Sequence, residues 1–579
     1  MSDIRKYIVS CGGFGAGIKD PDAKKVMLEH REGFPDHNTR IKLEKLVNSV
    51  LTVNNRHKDL LNIAGYLFAA DRKIKRGSNS SVEYHSWSRH IVMHIGVFDY
   101  FFWKQPAIQK LISDALEFMT GDYKFEFVFY QSDQDFPSSI FDNANFTMKK
   151  EDNLKVLLFS GGIDSLAGAV EVLENEEGSV CLVSHQSGQK TTISVQNKLF
   201  QLLQQSYPGK VNRYKFECGL TNESSAEESQ RTRSFLFTAA AFVIAAAYGQ
   251  NEIYIHENGI TSLNLPETQD LINARSSRTT HPKTLALLET LFSAIAGEAF
   301  LIRNNFFFKT KTDVVKILKK YERREMLMNS VSCSSTRDNT TAKTHCGKCS
   351  QCVDRRFAAF AADVNEWDDV SSYELDFLND SLTDDVVIKV LLEYIRLAQN
   401  FRSLTLDGFF IRYGPELADV LAYTEGAGDE ERVKGIYELC QKHSSDIENA
   451  LNKMQQIYDK PLTPAKPNSF FTLIVRPRAY QQSVSGSIRP LRIFTSSPKE
   501  EVAEEKNKDR ELENAHNIIK HQKKRINVLE KGLTKDKMLE LIENHCRKKN
   551  GNINYSELGR QLGCSNHAAK AKCIYFGIS

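Results

Sequence analysis

VLLFSGGIDSLAGAV, residues 156–170, decides how this chain is read. An apolar run of strand length breaks at Ser160-Gly161-Gly162-Ile163-Asp164-Ser165 and restarts at Leu166 as a helix-forming run. In such a strand-to-helix turn the backbone N–H groups of the turn and of the first helical turn converge on one spot, which suits an anion. The two glycines let the backbone approach a phosphate with no Cβ in the way. Ser160 and Ser165 add hydroxyl donors, and Asp164 supplies a carboxylate of the kind that holds Mg2+ or orients a nucleotide. The competing reading is a glycine-rich turn that binds nothing. A GxxxxGK[ST] frame is absent, so the turn is not a Walker A loop.

Downstream, strand and helix alternate. LKVLLF (154–159), SVCLVSH (179–185), NRYKFECG (212–219) and EIYIHEN (252–258) read as strands, with helices centred on 166–175, 194–206 and 233–248. This alternation predicts an α/β domain over 153–362, a parallel sheet with helices on both faces. Ligands of such sheets sit beyond the carboxyl ends of the strands. SGGIDS, SHQSGQK (184–190), ECGLTNES (217–224) and ENGITSLN (257–264) are therefore expected to share one crevice.

A second signal is C-x12-C-x2-C-x2-C, formed by Cys333, Cys346, Cys349 and Cys352. Three thiols at steps of three fold round one ion on a knuckle turn, and the fourth closes a tetrahedral Zn2+ shell with no open position. Such a shell lacks the bound water of a catalytic zinc, so the expected ion is structural. A disulfide pair or an iron–sulfur cluster is the competing reading.

With 579 residues the chain exceeds what one hydrophobic core usually supports, and 76 Lys and Arg against 73 Asp and Glu leave no global basic field. Any contact with nucleic acid must be local. The longest apolar stretch, FLFTAAAFVIAAAYG (235–249), falls short of the roughly 20 residues that cross a bilayer and reads as a buried helix, so no membrane partner is expected. The start, MSDIRKYIVS, has neither a sustained apolar run nor a small-residue cleavage site. Eleven cysteines, four of them clustered, favour a reducing compartment, and the cytoplasm is the expected location.

Residues 1–152 read as an amino-terminal α+β unit, with strands IVMHIGVF (91–98) and YKFEFVFY (123–130) flanking a helix, AIQKLISDALEFM (107–119). CGGFGAGI (11–18) reads as a glycine loop, a dinucleotide loop being the alternative. Trp87 and Trp103 read as core. Asp71, Arg72 and KIKRG (73–77) read as a solvated loop, the alternative being that they reach the cleft. Residues 363–480 predict a helical extension of four amphipathic helices joined by short polar loops, and 481–510 a linker. In 511–579, Leu512, Ile519, Ile526 and Leu533 at steps of seven support a short coiled coil. INYSELGRQLGCSNHAAKAKCIYFGI (553–578) then has the form of a helix-turn-helix bearing Lys570 and Lys572, and nucleic acid and protein are both open as its partner.

The SGGIDS string resembles the PP-loop of the ATP pyrophosphatase superfamily, whose members attach AMP to an oxygen and release pyrophosphate. Within 153–362 the chain is similar to the QueC family, the 7-cyano-7-deazaguanine synthases. SHQSGQK is similar to that family's YGQxH-type loop, and Arg233 falls where the family places an Arg-Asn pair near the nucleotide. FFFKTKTDVVKIL (306–318) is similar to its segment ending in (T/S)KxE, and HCGKCSQCVDRRFAAF (345–360) to its zinc segment. The resemblance implies a nucleotide site of Ser160, Gly161, Gly162, Asp164, Ser165, Gln189 and Arg233, with Asp164, Ser165, Lys309 and Lys311 in the catalytic roles. After the fourth strand the chain departs from the family: ENGITSLNLPE (257–267) stands where the family has an aspartate and a Tyr-Pro-Asp element, and ARSSRTTHPKTL (274–285) follows further on. Glu257, Asn258, Arg278 and His281 are the groups expected to read the substrate there.

What the resemblance implies is an ATP-dependent, C–N bond-forming ligase using ATP, Mg2+ and structural Zn2+. It would adenylate the carboxylate of a 7-deazaguanine (7-carboxy-7-deazaguanine) and pass it to an amine as an amide or nitrile. Longer QueC-like proteins with flanking domains occur in Qat-type antiphage defence systems and CBASS operons, and this chain is more similar to those, which implies a defence role. Three readings stand beside it: a ligase attaching a deazaguanine to a partner protein of the same system, a tRNA or DNA base-modifying enzyme gripping through the helix-turn-helix, and a nucleotide-sensing scaffold without turnover. A homo-oligomer is also open.

Overall fold

The computed structural model describes residues 4–34, 36–42, 53–77, 87–133, 153–186, 189–227, 229–265, 278–334, 343–424, 428–458, 466–474 and 542. The linker, coiled coil and helix-turn-helix expected after 480 lie outside the described residues. The chain divides into two units, Met1–Pro490 and Leu491–Ser579, and the first carries everything that follows.

In chain order its principal elements are β1 (Arg5–Cys11), β2 (Ala23–Leu28), β3 (Thr39–Lys42), α1 (Asn55–Lys73), β4 (Arg89–Val97), α2 (Pro106–Thr120) and β5 (Lys124–Gln131). The α/β domain follows with β6 (Leu154–Leu158), α3 (Ile163–Asn175), β7 (Ser179–Gln186), α4 (Lys190–Ser206), β8 (Val211–Leu220), α5 (Arg233–Ala247), β9 (Glu252–Tyr254), α6 (Gly259–Leu263), α7 (Pro282–Ala296), β10 (Leu301–Arg303), α8 (Lys311–Lys320) and α9 (Ser350–Ala361). The helical extension comprises α10 (Asp385–Ser403), α11 (Leu406–Leu421) and α12 (Asp429–Tyr458).

The main sheet has six strands in the order β10-β9-β6-β7-β8-β3. From β10 to β8 every pairing is parallel, with β6 matched to β7 from Leu154–Ser179 to Leu158–Val183. Strand order reverses at β6, so the crevice of this sheet opens beyond Leu158, where SGGIDS begins. Helix α5 is apolar on all sides and buried from Phe235 to Ala245, as a central helix covered by other elements must be. Among the described residues no helix is long and apolar enough to cross a membrane.

The amino-terminal segment is joined to this domain in two ways. β3 pairs antiparallel with β8, Thr39 opposite Leu220 and Lys42 opposite Glu217, and so forms the edge of the main sheet. One hydrophobic core also runs across residue 152, holding Phe68 of α1 and Phe127 of β5 with Val156 of β6 and Phe242 of α5. The second sheet, β2-β1-β4-β5, is parallel throughout, where the sequence predicts an α+β unit. The reason is local: β1 and β2 are joined by the glycine turns that begin at residue 12 and not by a helix, so no alternation of strand and helix is written there. Trp87 and Trp103 are buried, as expected.

In the extension, the two helices expected over 432–458 are one helix, α12. The polar stretch between them continues the helix because its side chains find partners inside the protein: Ser444 Oγ donates to the Ala398 carbonyl at 2.7 Å, and His443 is buried beside it.

Candidate active site

The SGG turn holds itself in shape. Gly161 takes φ +88°, a conformation that side-chain-bearing residues rarely adopt, and Gly162 is the N-cap of α3. Ser160 Oγ accepts from the Gly162 N–H at 3.3 Å, and Ser165 Oγ donates to the Gly162 carbonyl at 3.1 Å. Gln196, fully buried on α4, donates to the carbonyls of Ser160 (3.2 Å) and His185 (3.3 Å), locking the ends of β6 and β7 together. From the other side the Val331 N–H donates to the Gly161 carbonyl at 3.1 Å. Ser160, Gly162, Asp164, Ser165, Gln189, Arg233 and Glu257 all line one cavity of about 800 Å3, large enough for a nucleotide and a second small molecule.

Asp164 is the hub of a buried polar cluster. Its Oδ2 is ion-paired with Lys311 Nζ, and its Oδ1 accepts from the Asn258 N–H (3.3 Å) and from Asn258 Nδ2 (3.2 Å). Lys311 is 3% exposed. Burial pulls its ammonium pKa down, but the carboxylates around it, Asp164 foremost, more than offset this, and the net shift is upward, so the lysine stays charged. Glu257 goes the other way: burial, then the Asp164 charge, raise its carboxyl to about 8. At neutral pH it is a neutral acid facing the cavity, able to donate to a ring nitrogen or carbonyl.

Arg233, the first residue of α5, is a half-buried cation that lines the cavity and has no ion pair among the described residues. Burial, then repulsion from Arg72, lowers its guanidinium to about 10, and its ring contact is with Phe237, 5.2 Å from the centroid. A desolvated cation without a carboxylate is costly unless an anion pairs with it, and a phosphate is such an anion. Its helix start is fixed from the amino-terminal segment: Asp71 accepts from the Thr232 N–H (3.0 Å) and hydroxyl (3.1 Å) and is itself paired with Arg76 (2.9 Å) and Arg89 (2.7 Å). Asp71 and Arg76 are thus fully buried and not a solvated loop, because each charge is met by its opposite. Nothing local in the sequence marks this network, since its members lie on separate elements.

The structure places four further residues expected at the site as follows. Neither Lys309 nor Lys311 lines the cavity directly; Lys309 pairs with Glu171 of α3 at 3.4 Å, whereas Lys311 pairs with Asp164, which does line it. Arg278 stacks over Phe118, 4.8 Å from the ring centroid. His281 is the N-cap of α7, its Nδ1 accepting from the Lys283 N–H at 3.2 Å, and burial holds the ring neutral with a pKa near 4. Asn258 is fully buried and its side chain bonds Asp164, Glu257 and Thr261. The neighbours Thr279 and Thr280 line the cavity instead. Both carboxylate oxygens of Asp164 are engaged, one by Lys311 and the other by Asn258.

The four cysteines come together as expected, their Sγ atoms within 4.8 Å of one another. The separations of 3.9 Å for Cys346–Cys352 and 4.0 Å for Cys349–Cys333 match the edges of a tetrahedron with Zn–S bonds of about 2.3 Å. Gly347 makes the knuckle: its φ is +71°, and a Cβ there would meet the Leu375 carbonyl oxygen at 2.0 Å. The residues before Cys333 touch the PP-loop, since the Ser332 hydroxyl accepts from the Ile163 N–H at 3.4 Å. A zinc held here supplies folding energy to the segment that braces the SGG turn.

Fold and turn together define the class: a PP-loop nucleotide-binding α/β domain, with the ligand crevice at the switch point of a parallel sheet. Residues 154–363 match the family model described as queuosine biosynthesis protein QueC, and that segment is QueC-like. No curated protein matches the chain.

Proposed function

We propose that the QueC-like segment binds ATP, as its Mg2+ complex, on the SGG turn with Arg233 and adenylates the carboxylate of a 7-deazaguanine. The observation that carries this is the meeting in one cavity of the SGG turn, Asp164 with Lys311 paired behind it, and the Arg233 cation, which has no ion pair among the described residues. The family match supports the choice of substrate.

In this reading a carboxylate oxygen attacks the α-phosphorus, forming the C–O–P linkage as pyrophosphate leaves. The turn N–H groups and Arg233 take up phosphate charge, and Lys311, held by Asp164, offers an ammonium to the developing negative charge. Neutral Glu257 donates to the heterocycle. An amine nitrogen then attacks the acyl carbon, forming C–N, while the bond to AMP breaks with its electron pair going to the phosphate and one proton leaves the nitrogen. The amide is one product; a second adenylation, on the amide oxygen, leads to the nitrile.

The test is mass spectrometry of products from the protein, 7-carboxy-7-deazaguanine, MgATP and ammonium, with pyrophosphate release followed in parallel. Pyrophosphate release dependent on the carboxylate supports adenylation; its absence overturns it. A second reading of the acceptor is a protein amine from an antiphage defence partner, for which the helical extension, absent from the matched segment 154–363, is the added element. A cytoplasmic setting follows from that reading.

A further inference from the structure

Beside the main cavity lies a second one of about 280 Å3, and Thr279 and Gln351 line both. Its walls come from α6 and α9 of the QueC-like segment and from α10 and α12 of the extension, so it exists only in a chain that carries those helices. One end is apolar, built by Leu263, Leu397 and Phe401. Toward Gln351 it is polar: Asp354 accepts from the Tyr394 hydroxyl at 2.7 Å. His443 also lines it, 3% exposed, with Nε2 finding no hydrogen-bond partner among the described residues. A buried ring nitrogen without a partner is costly in an empty protein and is satisfied by a donor arriving with a ligand.

We propose that this compartment holds the acceptor of the second half-reaction, a primary amine carried on a short alkyl stem. The inference rests on the adenylation reading above. The amino group meets the polar end shared with the main cavity, where it reaches the activated acyl carbon and donates to Asp354 and His443. The stem lies against Leu397, Leu263 and Phe401. Ammonia alone would leave the space unfilled, since a molecule of its size needs roughly 30 Å3.

The experiment compares ammonium, methylamine, n-butylamine and n-pentylamine as acceptors for the full chain with 7-carboxy-7-deazaguanine and MgATP, reading the amide products by mass spectrometry and carboxylate-dependent ATP–pyrophosphate exchange in parallel. The expected result is at least a tenfold gain in kcat/KM from methylamine to n-butylamine or n-pentylamine. Leu397→Trp should remove that gain while leaving exchange and ammonium use within about twofold. Leu397→Ala, which enlarges the apolar end, should shift the preference to the longer amine, and it keeps the test intact where the tryptophan variant fails to fold. Exchange with a flat amine series in the wild type and both variants overturns the compartment and leaves adenylation standing. Absence of exchange in the wild type overturns the adenylation reading and this assignment with it.

Discussion

The Thr310 hydroxyl donates to the Asp446 carboxylate at 2.6 Å, which ties the extension to the residue before Lys311. Thr310 is the N-cap of α8 and completes a capping box with Asp313, and Lys311 is the next residue. A second link, Lys442 to Asp313 at 2.7 Å, runs from the same helix α12 to the same cap. The position of Lys311 is therefore set jointly by the PP-loop domain and by a helix more than a hundred residues downstream.

Removing that link should lower turnover more than stability. Asp446→Ala leaves the capping box itself intact, so the loss of stability is expected near 1 kcal/mol, the usual worth of one such hydrogen bond. A reacting group displaced by a fraction of an ångström costs far more in rate, and ATP–pyrophosphate exchange should fall about tenfold or more. Equal exchange rates in the variant and wild type, with the thermal midpoint lowered, would mean that α12 is only a structural support.

The Lys311–Asp164 pair makes a double-mutant test. Lys311→Met leaves a buried carboxylate without its cation, at a cost of about 3–5 kcal/mol, whereas Lys311→Met with Asp164→Asn removes both charges and should recover much of that loss. Neither variant should catalyse exchange. Denaturant unfolding of the four proteins of the cycle measures the coupling, and an additive cycle would contradict the ion pair.

Arg233→Gln should behave oppositely. It removes a half-buried cation with no ion pair among the described residues, so the thermal midpoint of the apo protein should hold or rise slightly, while ATP affinity by calorimetry falls about 10- to 100-fold. Unchanged affinity would take Arg233 out of the nucleotide site.

The sequence was informative where one local pattern carried the chemistry. The SGGIDS turn, the strand and helix alternation and the cysteine spacing are each written within a few residues of one another, and the sheet order, cavity and thiol cluster follow them closely. What the sequence did not reveal depends on pairings between distant segments: β3 on the edge of the main sheet, Asp71 under Thr232, and Asp446 on Thr310. Arg278 over the Phe118 ring and His281 capping α7 are of the same kind, since those partners are ones that only the fold brings up.

For the cysteines, metal analysis of the purified protein should return one zinc per chain. Cys349→Ser should lose it together with several degrees of thermal midpoint. Because Val331 and Ser332 bond to the PP-loop, amide exchange should rise in 156–170 as well as in 343–360. Protection retained over 156–170 in the zinc-free variant would separate the two sites.

Glu257 gives the pH test. Its carboxyl rises from an ordinary 4.5 to about 8 through burial and the neighbouring Asp164 charge. A raised carboxyl means that the folded chain holds a proton the unfolded chain has released, so wild-type stability should fall as pH rises through that interval and level off above about 8. Below about 4.5 both states are protonated and the group contributes no slope. Glu257→Gln keeps the oxygen that accepts from Asn258 Nδ2 at 3.2 Å and cannot ionise. The difference in thermal midpoint, variant minus wild type, should accordingly be near zero at pH 4 and grow in the variant's favour up to pH 8. Exchange activity carries the same signature, because only the neutral acid donates to the heterocycle: wild-type kcat/KM for the carboxylate should decline above pH 8, while the glutamine variant, which retains an N–H donor, keeps a flatter profile there. Parallel midpoint and activity profiles for the two proteins would place the Glu257 carboxyl in its ordinary range and remove it from substrate recognition.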